Sequence, residues 1–443
     1  MIVKKIFIPI LTLIVFININ AQKSLTLEEC VEIALKNNHD HKQVLLDKRI
    51  ADEKITEAYG TSVFPVIRGD AKYSRAIERP EFIFDMNGQT QRFKMGSTNA
   101  ASASVNIEQP LFSGAMFLAI KIAKTFAEIS SKAVDYSEEE LIVKVKQNYY
   151  TYLLSKEFVK LAESQKKRAE LNRNNTKSMY NAGLVSEYDF IKANVQFKNM
   201  IPAVSRAKNQ EKKAENNLKL ILGLSDSTKI VINDSLGLTV FEETSLKKSI
   251  DFAYKHNKLI QQSKLNEKLK SLVASYNFTG HLPQLYGFGN FQTQAQEEDD
   301  KAIKDWRFRN AISVGLNLKI PIFNGFSVNS KVEQAELDHK KAIEQLNKTK
   351  DEIRNRIENT YLEIKSLLEQ IDAYKAALSE AERGYEIATK RYDAGLSSQL
   401  EVLNSMVSLV NAKTNILKTI HDYYITHAQF DLLLGKSKDL IEY

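Results

Sequence analysis

The pattern of apolar and polar positions along the chain has two regimes. From Ile353 onward apolar residues recur every three or four positions: Ile353, Ile357, Tyr361, Ile364, Leu368, Ile371, Tyr374, Leu378, Ala381, Tyr385 and Ala388. This is a heptad-like seam on one helix face, with Glu352, Arg354, Lys365 and Glu369 on the others. Neither glycine nor proline occurs between Phe326 and Arg383, or between Ala115 and Ala182. Each gap has room for one long uninterrupted helix. The gap that begins at Phe326 predicts a helix over about 328–392, roughly 95 Å long at 1.5 Å per residue.

The second regime has period two. In AISVGLNLKIP, Ile312, Val314, Leu316, Leu318 and Ile320 alternate with Ser313, Gly315, Asn317 and Lys319. In ASASVNIEQP, Ala101, Ala103, Val105 and Ile107 alternate with Ser102, Ser104, Asn106 and Glu108. FPVIRGDAKYS and LPQLYGFGNFQ carry weaker versions. These spacings predict four strands, near 61–78, 97–110, 282–295 and 309–321. ERPEFIFDMNGQTQRFK and AQEEDDKAIKDWRFRN read as the polar loops between them.

The pattern is also written twice. MYNAGLVSEYDFI and RYDAGLSSQLEVL repeat at an offset of 212, from Gly183 to Gly395 and from Asp189 to Glu401. QPLFSG answers IPIFNG, and LKLILG, ending at Gly223, answers FDLLLG, ending at Gly435. A duplicated unit follows: a first repeat over 22–223, a linker over 224–245, a second repeat over 246–435 and a tail over 436–443. Each repeat reads helix, strand, loop, strand, long helix, turn (near 181–187 or 393–399) and helix. Residues 1–21 read as a secretory leader, with Lys4 and Lys5 ahead of an apolar run too short for a comfortable membrane helix.

Strands of about 10 residues match the length that crosses a bilayer at a tilt. The apolar side of such strands packs on a soluble core or faces lipid. Aromatics near the strand ends, such as Phe82, Phe84, Phe93, Trp306 and Phe308, favour a membrane interface. Four strands cannot close a barrel, and an open edge in lipid leaves backbone groups unpaired. Membrane strands would therefore require assembly, with two copies giving eight strands and three giving twelve.

The turn motif predicts a helical hairpin tip. Gly183 and Gly395 suit a left-handed position after a helix, and Ser186 and Ser398 suit N-caps. Asp189 and Glu401, three residues on, complete capping-box patterns. Leu184 and Leu396 occupy the turns beside them.

The 443-residue chain carries a net charge of +7 with both signs mixed along its helices, a solvated surface and not a nucleic-acid footprint. Its single cysteine, Cys30, excludes an internal disulfide and reads as a core residue. The seven histidines show no metal spacing, and no catalytic motif is present; no cofactor, metal site or enzymatic activity is expected.

The duplicated layout, the two tip motifs and the opening LTLEECVEIALKNN resemble the TolC family of outer-membrane efflux and secretion channels. The likeness runs from about Leu25 to Gly435. It implies a mainly α fold with membrane β: a homotrimer in which four strands per protomer build one 12-stranded β-barrel in the outer-membrane lipid. Long coiled-coil helices would form a periplasmic α-barrel. The implied partners are a periplasmic adaptor (membrane fusion) protein, met by the tip turns, and an inner-membrane RND-type or ABC-type transporter. By motif position, Tyr392 and Asp189 match a hydrogen-bonded pair that holds the closed state. Glu401 matches an acidic position at the pore constriction, a second such position falls on Asn404, and the family's tip arginine falls on Ser397. The implied function is export of drugs or other small molecules, with protein secretion as an alternative and a poreless coiled-coil envelope protein as a second one.

Overall fold

The computed structural model describes residues 24–86, 89–241 and 245–437. The predicted leader and residues 438–443 of the tail lie outside the described residues. Two helices, α1 (Leu27–Asn37) and α2 (His39–Ser62), precede strand β1 (Val66–Arg75). A hairpin of β2 (Glu81–Met86) and β3 (Gln89–Lys94) follows, then β4 (Asn99–Phe112). Helix α3 (Gly114–Asn181) fills the first Gly- and Pro-free gap, and α4 (Glu187–Ile221) follows the first tip turn. The second half runs α5 (Leu246–His256), α6 (Lys258–Phe278), β5 (Gln284–Glu297), β6 (Arg309–Lys319), α7 (Ser327–Asp393) and α8 (Gln399–Leu434).

Two expectations need amending. Each half opens with two helices, because an asparagine interrupts the helical run. The segment read as a polar loop, 78–94, contains a two-stranded ribbon with Phe82 opposite Phe93. The described residues therefore hold six strands, four of them in one sheet of order β1-β4-β5-β6 with every neighbouring pair antiparallel.

The chain folds into two compact units, and each draws on both halves of the sequence. The first joins residues up to Asn38, Ile142–Phe241 and Lys365–Ile425. Its core holds Val31, Ile142, Val145, Tyr149, Leu218, Leu222, Ile371 and Tyr423, all essentially without solvent exposure. The linker is strapped onto this core. The Tyr424 hydroxyl accepts from the Thr239 N–H and donates to the Gly237 carbonyl, and the Tyr423 hydroxyl accepts from the Phe241 N–H. The Tyr149 hydroxyl donates to Asp234. Burial, then this bond, pushes the Tyr149 phenol up from its ordinary range. Burial, followed by the nearby Glu29 carboxylate, pushes the Cys30 thiol up to about 12, which leaves it inert.

The second unit comprises His39–Leu141, Glu242–Ile364 and the chain from Thr426 on. It contains the whole sheet, with Ile260 and Ile357 at the centre of its helical core. The seam positions of α7 from Ile353 to Ile364 lie in this unit and those from Leu368 to Ala388 in the first, and all are buried or half-buried.

One joint is built twice, once in each unit. Asn38 breaks α1 from α2 with extended backbone, and its side-chain amide donates to the Ile221 carbonyl at 3.0 Å. Asn257 breaks α5 from α6 the same way and donates to the Leu433 carbonyl at 2.9 Å. After each contacted helix comes a left-handed glycine, Gly223 (φ 66°) or Gly435 (φ 77°). A Cβ on Gly223 would sit 2.7 Å from the Asn37 carbonyl oxygen, and one on Gly435 would sit 2.6 Å from that of His256. This close backbone approach is what the repeated LKLILG and FDLLLG motifs encode.

Candidate functional site

The tip turns belong to the first unit. Helix α3 ends in a Schellman motif, with the Leu184 N–H on the Met179 carbonyl and the Gly183 N–H on the Tyr180 carbonyl, both at 2.9 Å. Helix α7 ends identically, with Leu396 on Arg391 at 2.8 Å and Gly395 on Tyr392 at 2.9 Å. Gly183 (φ 76°) and Gly395 (φ 72°) are left-handed, as the motif requires. Leu184 and Leu396 stand out into solvent, 72% and 71% exposed.

The serines cap the next helices, but the carboxylates do not close the boxes. The Ser186 hydroxyl accepts from the Asp189 N–H at 3.2 Å and donates to the Asp189 carboxylate at 2.7 Å. The Ser398 hydroxyl accepts from the Glu401 N–H at 3.4 Å, and the Glu401 carboxylate turns to the Arg391 guanidinium, 3.7 Å away. Arg391 also donates to the Leu396 carbonyl at 3.5 Å. Sequence reasoning finds the loss of an arginine at Ser397 but misses Arg391. Its position one turn before the glycine, where a cation suits a helix C-terminus, is the available signal.

The structure does not bring Tyr392 and Asp189 together. Tyr392 is buried with its hydroxyl 3.4 Å from that of Thr176, whereas Asp189 is engaged by Ser186. Asn404 is exposed on α8, one turn beyond Glu401.

The sheet belongs to the second unit, and its register separates two faces. Residues opposite one another on neighbouring strands share a face. One face carries Ile67, Ala71 and Tyr73 of β1 beside Ile107, Val105, Ala103 and Ala101 of β4. It continues through Leu285, Gly289 and Phe291 of β5 to Leu318, Val314 and Ile312 of β6. The other face runs Arg68, Asn106, Asn290 and Ser313 in one row across all four strands, and Lys72, Ser102, Gln294 and Arg309 in another. Asn106 accepts from Asn290 and donates to Asp70, so the polar row is bonded to itself.

The apolar face is bare. Val314 is 81% exposed, and Ile312, Leu316 and Ile67 are each more than half exposed. Tyr73 and Trp306 stack at 6.2 Å at one end of it. Strands β1 and β6 are the outer edges and run antiparallel to each other, since three antiparallel steps separate them. Among the described residues no helix is long and apolar enough to cross a membrane.

A sheet with one apolar face, one polar face and two open edges, in a chain that also has helices of 68 and 67 residues, fits a subunit of a β-type membrane channel. Residues 31–224 and 250–436 match the outer membrane efflux protein family, and the chain belongs to it. The chain is 23% identical over 407 residues to the outer membrane protein TolC of Escherichia coli, covering 90% of this chain and 80% of that protein. It is 20% identical over 335 residues to the alkaline protease secretion protein AprF of Pseudomonas aeruginosa, covering 75% and 69% of the two chains. The crystal structure of the Campylobacter jejuni CmeC outer membrane channel superposes with a TM-score of 0.74 at 20% identity, over 93% of this chain and 86% of that one. The protein is thus an outer-membrane exit duct for efflux, with its helical part in the periplasm.

Proposed function

We propose that three copies close one 12-stranded barrel, and that the duct so formed receives small-molecule cargo from a periplasmic adaptor and an inner-membrane transporter of the RND or ABC type. The observation that carries this is the two-faced sheet with its unpaired, antiparallel edges. Closure removes the edges, which lipid does not tolerate. Two copies would give eight strands, whose interior is filled by side chains. Twelve leave room for a water-filled lumen lined by Arg68, Asn106, Asn290 and Ser313. A poreless envelope rod would give this sheet nothing to face. Likeness to AprF supports the alternative cargo, a secreted protein; the duct is the same, and the partnering transporter decides.

The tip turns fit the adaptor-facing role, with Gly183, Leu184, Ser186, Gly395, Leu396 and Ser398 presenting two exposed leucines on rigid turns. Glu401, Asn404, Tyr392 and Asp189 are the proposed constriction and gate residues, with Tyr392 held by Thr176 in this conformation. No catalysis is required, since the transporter supplies the energy. The mature protein extracted in mild detergent is expected to have the mass of three copies and to form discrete channels in planar bilayers. A single-copy mass or the absence of channels rejects the proposal.

The Arg391–Glu401 pair has a consequence for selectivity. Three bare glutamates around a narrow axis would favour cations, but each Glu401 has a guanidinium beside it. Arg391→Gln is expected to raise the cation-over-anion permeability ratio roughly twofold, the scale of an exposed pair worth about 0.5 kcal/mol. Reversal potentials across a KCl gradient measure this, and an unchanged ratio removes Glu401 from the constriction.

A further inference from the structure

The β2–β3 ribbon is two-faced as well. Phe82 pairs with Phe93 in register, and Phe84 stacks on Phe93 with ring centroids 5.3 Å apart and planes 8° from parallel. All three rings are exposed. The opposite face carries Glu81, with Arg92 and Lys94 each 3.9 Å from its carboxylate. A lone two-stranded ribbon is marginal in water, and an uncovered aromatic face calls for a partner.

The ribbon does not hang free. The Met95 N–H donates to the Pro80 carbonyl, and Arg79 donates to the Gly96 carbonyl and to Glu298 on the segment after β5. Glu298 also accepts from the Thr98 hydroxyl, and Arg75 pairs with Asp299 at 2.7 Å. The aromatic face therefore has a fixed direction. Along the chain it follows the Tyr73–Trp306 pair at one end of the apolar face.

We propose that this face clasps the next copy of the chain at the barrel seam. The inference rests on the proposed ring of three. In such a ring β1 of one copy lies beside β6 of the next. The chain leaves β1 into the ribbon and enters β6 from the Ile303–Phe308 segment, so ribbon and segment stand at the same end of one seam. That segment offers complementary apolar groups, with Ile303 74% and Phe308 51% exposed. Each half of the clasp is incomplete within one chain, and the second copy completes it.

Phe82→Cys combined with Phe308→Cys, treated with a short bis-maleimide in outer membranes, is expected to give covalent dimers and trimers that neither single variant gives. The buried Cys30 leaves the background clean. Phe82→Ser, Phe84→Ser and Phe93→Ser together are expected to lower the temperature at which the trimer dissociates, with single-channel conductance unchanged. No cross-link in a protein of three-copy mass overturns the clasp while leaving the ring standing; a single-copy mass overturns the ring and the clasp with it. Quenching of Phe84→Trp fluorescence by brominated lipid, in a Trp306→Phe background, assigns the face to the membrane and also overturns the clasp.

Discussion

Lysine at both Val314 and Leu316 is expected to keep the protein out of the outer membrane. The two residues lie on edge strand β6, 81% and 69% exposed, on the face shared with Ile67, Val105 and Phe291. A lysine on the lipid face of a β-barrel costs about 2–4 kcal/mol near the bilayer midplane. Two per protomer cost roughly 4–8 kcal/mol, a large share of the stability of an ordinary domain. Lysine at Ser313 and Asn317 places the same charges one residue away, on the polar face beside Asn290 and Tyr286, and is expected to be tolerated. The amount of heat-resistant trimer in the outer-membrane fraction separates the two pairs. If Val314→Lys with Leu316→Lys assembles as well as Ser313→Lys with Asn317→Lys, the apolar face does not meet lipid and the duct reading fails.

The contrast between those two faces is legible in the sequence because an apolar face backed by a polar one requires strict period two, visible from Ile312 to Ile320. The long helices are legible for a similar reason: α7 keeps one seam, and no glycine or proline interrupts it. The β2–β3 ribbon is not, because its charged residues mask the short alternation that carries Phe82, Phe84 and Phe93. The break of each leading helix at Asn38 or Asn257 is hidden too. The asparagine at each break donates its amide to a carbonyl far away in sequence, Ile221 or Leu433, while the Asn257 side-chain oxygen also caps α6 by accepting from the Leu259 and Ile260 N–H groups. At the tips, the glycines and serines follow local rules, since a Schellman turn and an N-cap involve residues within one turn of chain. The carboxylates do not. Asp189 and Glu401 occupy equivalent places, yet one binds its own cap and the other Arg391, and the residue matching Arg391 in the first repeat is Met179. Sequence repeats and compact units differ for a physical reason as well: long helices place residues adjacent in sequence in different cores, so contiguity along the chain does not define a body here.

Gly435→Ala is expected to destabilise the protein far more than Gly395→Ala, though both replace a left-handed glycine after a helix. The shared cost is the left-handed backbone of a residue bearing Cβ, about 1–2 kcal/mol. At Gly395 nothing lies within 4 Å of the added Cβ, and that cost is the whole effect. At Gly435 the added carbon would sit 2.6 Å from the His256 carbonyl oxygen and 3.3 Å from the Asn257 backbone nitrogen. Neither is a flexible side chain that can swing aside, so the end of α8 must move away from the α5–α6 break. That movement strains the buried bond from the Asn257 amide to the Leu433 carbonyl, whose loss costs a further 1–3 kcal/mol or so. The total is about 2–5 kcal/mol at Gly435 against about 1–2 at Gly395, and Gly223→Ala, with its Cβ 2.7 Å from the Asn37 carbonyl oxygen, belongs with the former. The urea concentration at which the assembled protein loses resistance to protease ranks the three variants. Equal midpoints for Gly395→Ala and Gly435→Ala would show that the joint tolerates an opening of several tenths of an ångström. The repeated glycine would then be a turn former only, and the two asparagine bonds alone would hold the leading helices to the ends of α4 and α8.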